Sequence, residues 1–287
     1  MTGRTPVSND KLHIDVIDAL RAERDALLEL LGGLRADQWA RPTECPKWTV
    51  HGIALHLLGD DLSLLSRQRD AEPSGLIQVA QCNPGLSFLE FLHRFNERWV
   101  DAGPFISAQV LVELLRFSGK LTADFYSNVD RDTLGEPVFW LGPQPAPYWL
   151  IASREFGERW VHHHQVARAV GVSGPRDNTL RRTAAESLMP VFAARFVALD
   201  LSDNTRIVID ANEIGRWTIA RSDGSWTAQL DDANKPPTAE LSIPDDAFAP
   251  MFSKGLTSTE ILSAIAVHGD NTTGNAQPEP LRTSSAA

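Results

Sequence analysis

The chain has 287 residues, of which 43% are hydrophobic and 22% charged, values typical of a globular protein with room for two domains. Its formal net charge of -10, without any local run of Lys and Arg, argues against a nucleic-acid-binding surface. Two cysteines are too few for a disulfide framework and no stretch reaches the roughly 18 apolar residues of a membrane span, so we expect a cytoplasmic protein.

The first half of the sequence predicts a bundle of amphipathic helices. Apolar residues recur at helical spacing from about Asn9 to Leu34, and Thr49 is a good N-cap for a second helix. Further helical patterns begin near Ser87, after Gly103-Pro104 and near Tyr148, the last of them ending at Gly171. Because the connections are short, the sequence predicts an all-helical domain over residues 10–173.

The second half predicts a small α+β domain over residues 178–270. A helical pattern runs from Leu180 to Leu199, where Pro190 is expected to kink or divide the helix. The segments TRIVIDANE, GRWTIARSDG and SWTAQLD then alternate apolar with polar residues, with Asp223-Gly224 as a hairpin turn. A further strand and helices follow, and the polar segment 271–287 is expected to be disordered. The predicted fold class is therefore α+β.

A polar stripe on the helix near Tyr148 is the strongest functional signal. Glu158 and His162 are four residues apart and share one helical face, which Arg154 and Gln165 continue. His56 lies in an apolar stretch of the second helix. Two imidazoles and a carboxylate could bind one divalent ion and leave a coordination position open. The alternative is a surface ion pair of Glu158 and His162, with His56 as an ordinary core histidine.

Neighbouring residues suggest supporting roles. Arg154 could bind a carboxylate of the substrate or merely pair with Glu158, and the pairing is favoured. Asp60 could orient a ligand or be a solvated surface residue. Cys45 is expected to be a small buried side chain, and His51 to be exposed.

Two segments, TECPKWTVHGIALHLLGD and SREFGERWVHHHQVARAVG, resemble the paired signatures of the mycothiol-dependent maleylpyruvate isomerase family. That family belongs to the DinB-like group of metal-binding proteins, and the resemblance implies an up-down four-helix bundle followed by a small C-terminal domain. It also implies that His56, Glu158 and His162 are metal ligands. Family members often carry an acidic residue where this chain has Gln165.

The resemblance implies an enzyme that uses a divalent metal, with Zn²⁺ the best match to the ligand set, to activate a low-molecular-weight thiol. Mycothiol is the family's thiol, although nothing in the chain selects it over another. The reaction would be a maleylpyruvate-type cis-trans isomerisation or a thiol S-transfer to a small electrophile. The alternatives are a non-catalytic metal-binding protein that binds or senses a small ligand, and a helical scaffold. The expected partners are small molecules, and the expected state is a monomer or homodimer.

Overall fold

The computed structural model describes residues 7–8, 14–138, 141, 144–196, 201–253 and 255–269. The predicted disordered segment 271–287 lies outside the described residues. The helices are α1 (Ile17–Gly32), α2 (Ala36–Trp39), α3 (Val50–Leu64), α4 (Ser74–Cys82), α5 (Phe88–Val100), α6 (Ala108–Asn128), α7 (Tyr148–Val170), α8 (Asn178–Phe196), α9 (Asp245–Phe252) and α10 (Ser258–Ala264). The strands are β1 (Val7–Ser8), β2 (Leu134–Pro137), β3 (Pro145–Pro147), β4 (Arg206–Asp210), β5 (Arg216–Ser222), β6 (Ser225–Leu230), β7 (Ala239–Ser242) and β8 (Ala266–Gly269).

A four-helix bundle forms from α1, α3, α6 and α7, as the helical patterns predict. The hydroxyl of Thr49 accepts a hydrogen bond from the backbone N–H of Gly52, which confirms Thr49 as the N-cap of α3. At the other end of the bundle, Gly171 ends α7 in the left-handed conformation that its missing Cβ permits. Helix α4 and the short β2–β3 hairpin are not predicted by the sequence patterns.

The second half contains a six-stranded sheet in the order β1-β6-β5-β4-β7-β8. The β5–β6 hairpin turns at Asp223 and Gly224, whose φ angles of 50° and 74° are those that a two-residue hairpin requires. The fold class α+β is thereby confirmed. Pro190 does not divide the helix, because α8 runs through it, and the alternative of a kink stays a prediction. Apolar residues around it, such as Met189 and Phe192, are buried in the core, and this packing outweighs the roughly 3 kcal/mol cost of an internal proline.

One apolar cluster joins the two halves. Phe156 and Trp160 on α7 belong to the same buried cluster as Phe192 on α8, Trp217 on β5 and Phe248 on α9. The rings of Trp160 and Phe248 are 6.1 Å apart, edge to face. The domain boundaries 10–173 and 178–270 stay a prediction, since the core itself is continuous across them.

The bundle interior contains a buried ion network centred on Asp61 of α3. Arg24 on α1 donates from Nη1 and Nη2 to the two carboxylate oxygens of Asp61, at 2.8 and 3.1 Å. Arg159 on α7 donates to Oδ1 at 2.7 Å, and the Ser118 hydroxyl on α6 donates to Oδ2 at 2.7 Å. Arg159 also pairs with Glu155. Each of the four bundle helices therefore contributes to one network, in which the buried charges are paired and hydrogen-bonded.

Within the described part of the chain, none of the helices is long and apolar enough to cross a bilayer.

We expect the substitution Asp61→Asn to lower the free energy of unfolding by about 3–5 kcal/mol, because it leaves two guanidinium groups buried without their shared carboxylate. Urea unfolding followed by circular dichroism measures the change. Asp124→Asn is the matched control, since Asp124 forms an exposed pair with Lys120 on α6 worth a few tenths of a kcal/mol. Similar losses in both variants would contradict a special role for the network.

The Asp61→Asn variant also tests how the stability of the protein depends on pH. Burial disfavours the charged form of Asp61, but Arg24 and Arg159 outweigh this and hold its pKa below the ordinary value. A depressed pKa means that the stabilisation is complete above about pH 3.9, the ordinary aspartate value, and is lost as the pH falls below it. We therefore expect the wild-type and Asp61→Asn stabilities to converge below about pH 4.

Candidate metal centre

The three predicted ligands lie in two facing helices of the bundle. His56 is on α3, and Glu158 and His162 are one turn apart on α7. The imidazole rings of His56 and His162 are in contact, with centroids 4.8 Å apart and planes at 76°. Glu158 Oε2 lies 3.9 Å from His162 Nε2. The structure thus brings together the residues that the sequence analysis selected.

Burial distinguishes this group from a surface ion pair. His162 is 0% exposed and His56 is 8% exposed, whereas the Glu158 side chain keeps 20% of its surface accessible. The alternative of a surface pair between Glu158 and His162 is therefore wrong. The group is reached from solvent on the side of the carboxylate.

The hydrogen bonds of Gln165 determine which nitrogen of His162 carries a proton. Nε2 of the Gln165 amide donates to the backbone carbonyl of Ser253 at 3.0 Å, so the other end of the amide must be its oxygen. That oxygen lies 2.8 Å from Nδ1 of His162. Since an amide oxygen can only accept, Nδ1 carries the hydrogen, and in the neutral ring Nε2 presents a lone pair toward Glu158.

In that neutral form, the imidazole lone pair and the carboxylate oxygen that face each other are both electron-rich. Their distance of 3.9 Å is longer than a hydrogen bond. A cation between them would relieve their repulsion. An Nδ1–H that donates to a protein oxygen while Nε2 faces the ion is also the usual arrangement of a metal-binding histidine.

The spacing can be compared with that around a tetrahedral zinc ion. Two atoms bound at about 2.1 Å to such an ion are about 3.4 Å apart, and two bound imidazoles have centroids about 5 Å apart. The His56–His162 centroid distance of 4.8 Å agrees, and the Glu158–His162 distance of 3.9 Å exceeds the ligand value by about half an ångström. Two imidazoles and a carboxylate are donors that Zn²⁺ accepts, so the donor set fits this ion by its chemistry.

As the side chains stand, no three His, Cys, Asp or Glu residues in the described ranges are already arranged as a set that could hold an ion.

Electrostatics keep His56 in the form that a metal requires. Burial lowers its pKa, and the guanidinium groups of Arg159 and Arg154 lower it further, against the opposing effect of Asp60. Asp60 itself is half-buried. Burial opposes its ionisation, but Arg154 and Arg159 outweigh this and lower its pKa, so Asp60 is charged. Of the two alternatives for Asp60, orienting a ligand or being a solvated surface residue, its effect on the pKa of His56 favours the first.

Arg154 pairs with Glu155, its neighbour in the chain, through an ion pair of Nη2 with Oε1. The sequence favours a pair with Glu158, one turn away. Glu155 lies at the edge of the Asp61 network, where Arg159 also binds it, and the pair of Arg154 with Glu158 stays a prediction. The Arg154 side chain is 27% exposed, so it stays a candidate for binding a ligand carboxylate.

Three of the other histidines have other contacts. His51 is half-buried, with Nε2 3.0 Å from the carbonyl oxygen of Ile106, so the expectation that it is exposed is wrong. His163 contacts Glu23 on α1 at 3.1 Å. His164 lies against Trp160, and burial lowers its pKa to about 3. These two point away from His162, as their positions on the helix predict.

Cys45 and Ser253 belong to the surroundings of the site, and sequence reasoning missed both roles. Cys45 is buried as expected, but its thiol donates to the Gln165 oxygen at 3.2 Å. Ser253 lies 88 positions beyond Gln165 in the chain, where no periodicity could connect the two. The one signal in the sequence is Gln165 itself, as an amide in the polar stripe.

Comparison with known proteins agrees with this architecture. Residues 20–167 match the family "Mycothiol maleylpyruvate isomerase N-terminal domain". The chain is also 31% identical over 166 residues to proteins from two strains of Mycobacterium tuberculosis, named "Uncharacterized protein MT0041" and "Uncharacterized protein Rv0036c". These alignments span 58% of this chain and 60% of each relative.

A crystal structure of the mycothiol-dependent maleylpyruvate isomerase has the same fold. The superposition has a TM-score of 0.51 and covers 90% of this chain and 92% of that one, at 9% identity. A mutant of the same enzyme, with one histidine replaced by alanine, gives the same values. The family match covers more than half of the chain, which therefore belongs to the mycothiol maleylpyruvate isomerase family.

We expect His56 of the metal-free protein to be less protonated at pH 6.0 than an ordinary histidine, because burial lowers its pKa. Its ring resonances, assigned by their loss in His56→Gln, can be followed by NMR between pH 4 and 8. A titration midpoint at or above 6.5 would contradict the electrostatic description.

Proposed function

We propose that this member of the mycothiol maleylpyruvate isomerase family is a metal- and thiol-dependent enzyme that acts on a small electrophile. His56, Glu158 and His162 would hold a divalent ion, with Zn²⁺ the best match to two imidazoles and a carboxylate. The single observation that carries the proposal is the hydrogen bond of Gln165 to His162 Nδ1, which turns Nε2 toward the Glu158 carboxylate, 3.9 Å away in a largely buried site.

The bound ion would lower the pKa of a thiol so that it is present as a thiolate at neutral pH. The protein contributes orientation and exclusion of water. His56 and His162 lie on the buried side of the site, and Trp48 covers His56 with its ring centroid 4.9 Å away. The accessible side belongs to Glu158 and Arg154, so thiol and electrophile would enter there.

Two reaction types follow from a thiolate at this position. With a cis-unsaturated acid, the thiolate would add to the double bond, the resulting single bond would rotate, and expulsion of the thiolate would re-form the double bond as the trans isomer. With another electrophile, the carbon–sulfur bond would persist and the product would be a conjugate. Mycothiol or another low-molecular-weight thiol is the proposed cosubstrate, and a reducing cytoplasm would supply it.

Arg154 is the residue we propose for holding a carboxylate of the substrate or thiol. It lies one turn before Glu158 on the same face of α7, and its side chain is partly accessible. A guanidinium has five donors, so a pair with Glu155 does not by itself exhaust them.

The second candidate is a non-catalytic protein that binds metal and a small ligand. It is favoured by Gln165, which supplies an amide where relatives of this type often have an acid, and so gives the site no second carboxylate at that position. Metal binding supports both candidates, and thiol-dependent turnover separates them.

We expect the full-length protein, purified without chelator, to bind about one equivalent of zinc, and the double variant Glu158→Ala/His162→Ala to lose it, because two of three ligands are removed. Inductively coupled plasma mass spectrometry after dialysis measures the metal. His93→Ala is the control, since His93 is exposed on α5. Zinc retained by a double variant with a wild-type circular dichroism spectrum would exclude the site.

We expect turnover to require both metal and thiol. The assay combines zinc-loaded protein, a panel of thiols that includes mycothiol, and either a maleyl-type cis acid or an epoxide. An isomerase converts the cis acid without net loss of thiol, whereas a transferase consumes one thiol per product. Absence of both results across the panel would favour the binding protein.

A further inference from the structure

We propose that Gln165 is a positioning residue for His162 and that the C-terminal half of the chain fixes it in this role through the carbonyl of Ser253. Metal binding in the bundle and docking of α9 would then be coupled. This inference rests on the proposed metal site.

The hydrogen bonds of the Gln165 side chain fix the orientation of its amide. The Gln165 side chain is buried, with its residue 1% exposed, and both of its ends are bonded. Its Nε2 donates to Ser253 O at 3.0 Å, and its Oε1 accepts from His162 Nδ1 at 2.8 Å and from Cys45 at 3.2 Å. A backbone carbonyl has no hydrogen, so a flip of the amide would place two oxygens against each other.

The orientation of the Gln165 amide determines the tautomer of His162. If α9 moved away, the amide could rotate and offer an N–H to Nδ1. His162 could then accept there and carry its hydrogen on Nε2, the nitrogen that faces Glu158. That tautomer has no lone pair for a metal at this position. The Ser253 carbonyl therefore selects the metal-binding tautomer of a residue on another element.

Contacts with Arg168 hold Ser253 in place. The residue follows the last turn of α9, and the guanidinium of Arg168 on α7 binds it from the side: Nη2 is 3.4 Å from the carbonyl oxygen and also contacts the hydroxyl. Glu44 pairs with Arg168 at 2.5 Å. Gln165 and Arg168 thus bind one carbonyl at the end of α9, where helix carbonyls are the natural acceptors.

Coupling between metal binding and the docking of α9 acts equally in both directions. If a docked α9 favours the tautomer that binds metal, bound metal must favour the docked α9 by the same factor. The proposal can therefore be tested from both sides, by metal affinity and by the protection of α9.

The test uses the full chain and zinc as the probe, with affinity measured by competition with a chromogenic chelator. We expect Gln165→Leu to bind zinc about 10–100-fold more weakly, the usual effect of losing a residue that orients a ligand. Gln165→Glu keeps an acceptor for Nδ1–H and should retain most of the affinity lost in the leucine variant. Gln109→Leu is the matched control, because Gln109 is exposed on α6, and it should bind zinc within about twofold of wild type.

Hydrogen exchange supplies the second readout. In the wild type, zinc should slow amide exchange in the last turn of α9 and through Ser253, and in Gln165→Leu it should not. Gln165→Glu should exchange faster there than the wild type even with zinc, since its second oxygen faces the Ser253 carbonyl.

Wild-type zinc affinity in a folded Gln165→Leu variant would overturn the inference while leaving the metal site intact. Equal losses in Gln165→Leu and Gln165→Glu would assign the effect to packing and also overturn it. Failure of the wild type itself to bind zinc would defeat the proposed function and the inference together, and is recognised because no variant then differs from it.

Discussion

The carboxylate of Asp61, withdrawn from water between Arg24 and Arg159, is the constraint on which the rest of the bundle depends. An unpaired charge at this depth would cost several kcal/mol, so the helices must remain where each partner can reach it. Asp61 lies five residues after His56 on α3, and Arg159 immediately follows Glu158 on α7. The network therefore fixes the two helices that carry the candidate ligands, at the level of the chain where those ligands meet.

Much of this arrangement follows from local sequence rules. The spacing of Glu158 and His162 places them on one helical face, Thr49 and Gly171 mark the ends of their helices, and Asp223-Gly224 marks a hairpin. Each of these is a property of a few consecutive residues. That is why the elements, and the pair on α7, could be predicted from the sequence alone.

What could not be predicted depends on contacts between distant segments. Arg24 and Asp61 are ordinary charged residues in their own helices, and only the packing of α1 on α3 makes them a buried pair. Helix α8 continues through Pro190 because its side chains pack against the sheet. Helix propensity describes only the local sequence and does not include this packing. The tautomer of His162 depends on Ser253, outside the residues that match the family.

The apolar cluster shared by α7, α8, α9 and the sheet limits how this protein could be rebuilt. Some side chains of helix α7 pack inside the bundle. Others, including Phe156 and Trp160, pack against the second half of the chain. A chimera that borrowed its last hundred or so residues from a relative would have to reproduce the shape of that second set, side chain by side chain, because interiors pack as densely as crystals. Recombination between family members at the α7–α8 junction should therefore seldom yield a folded product.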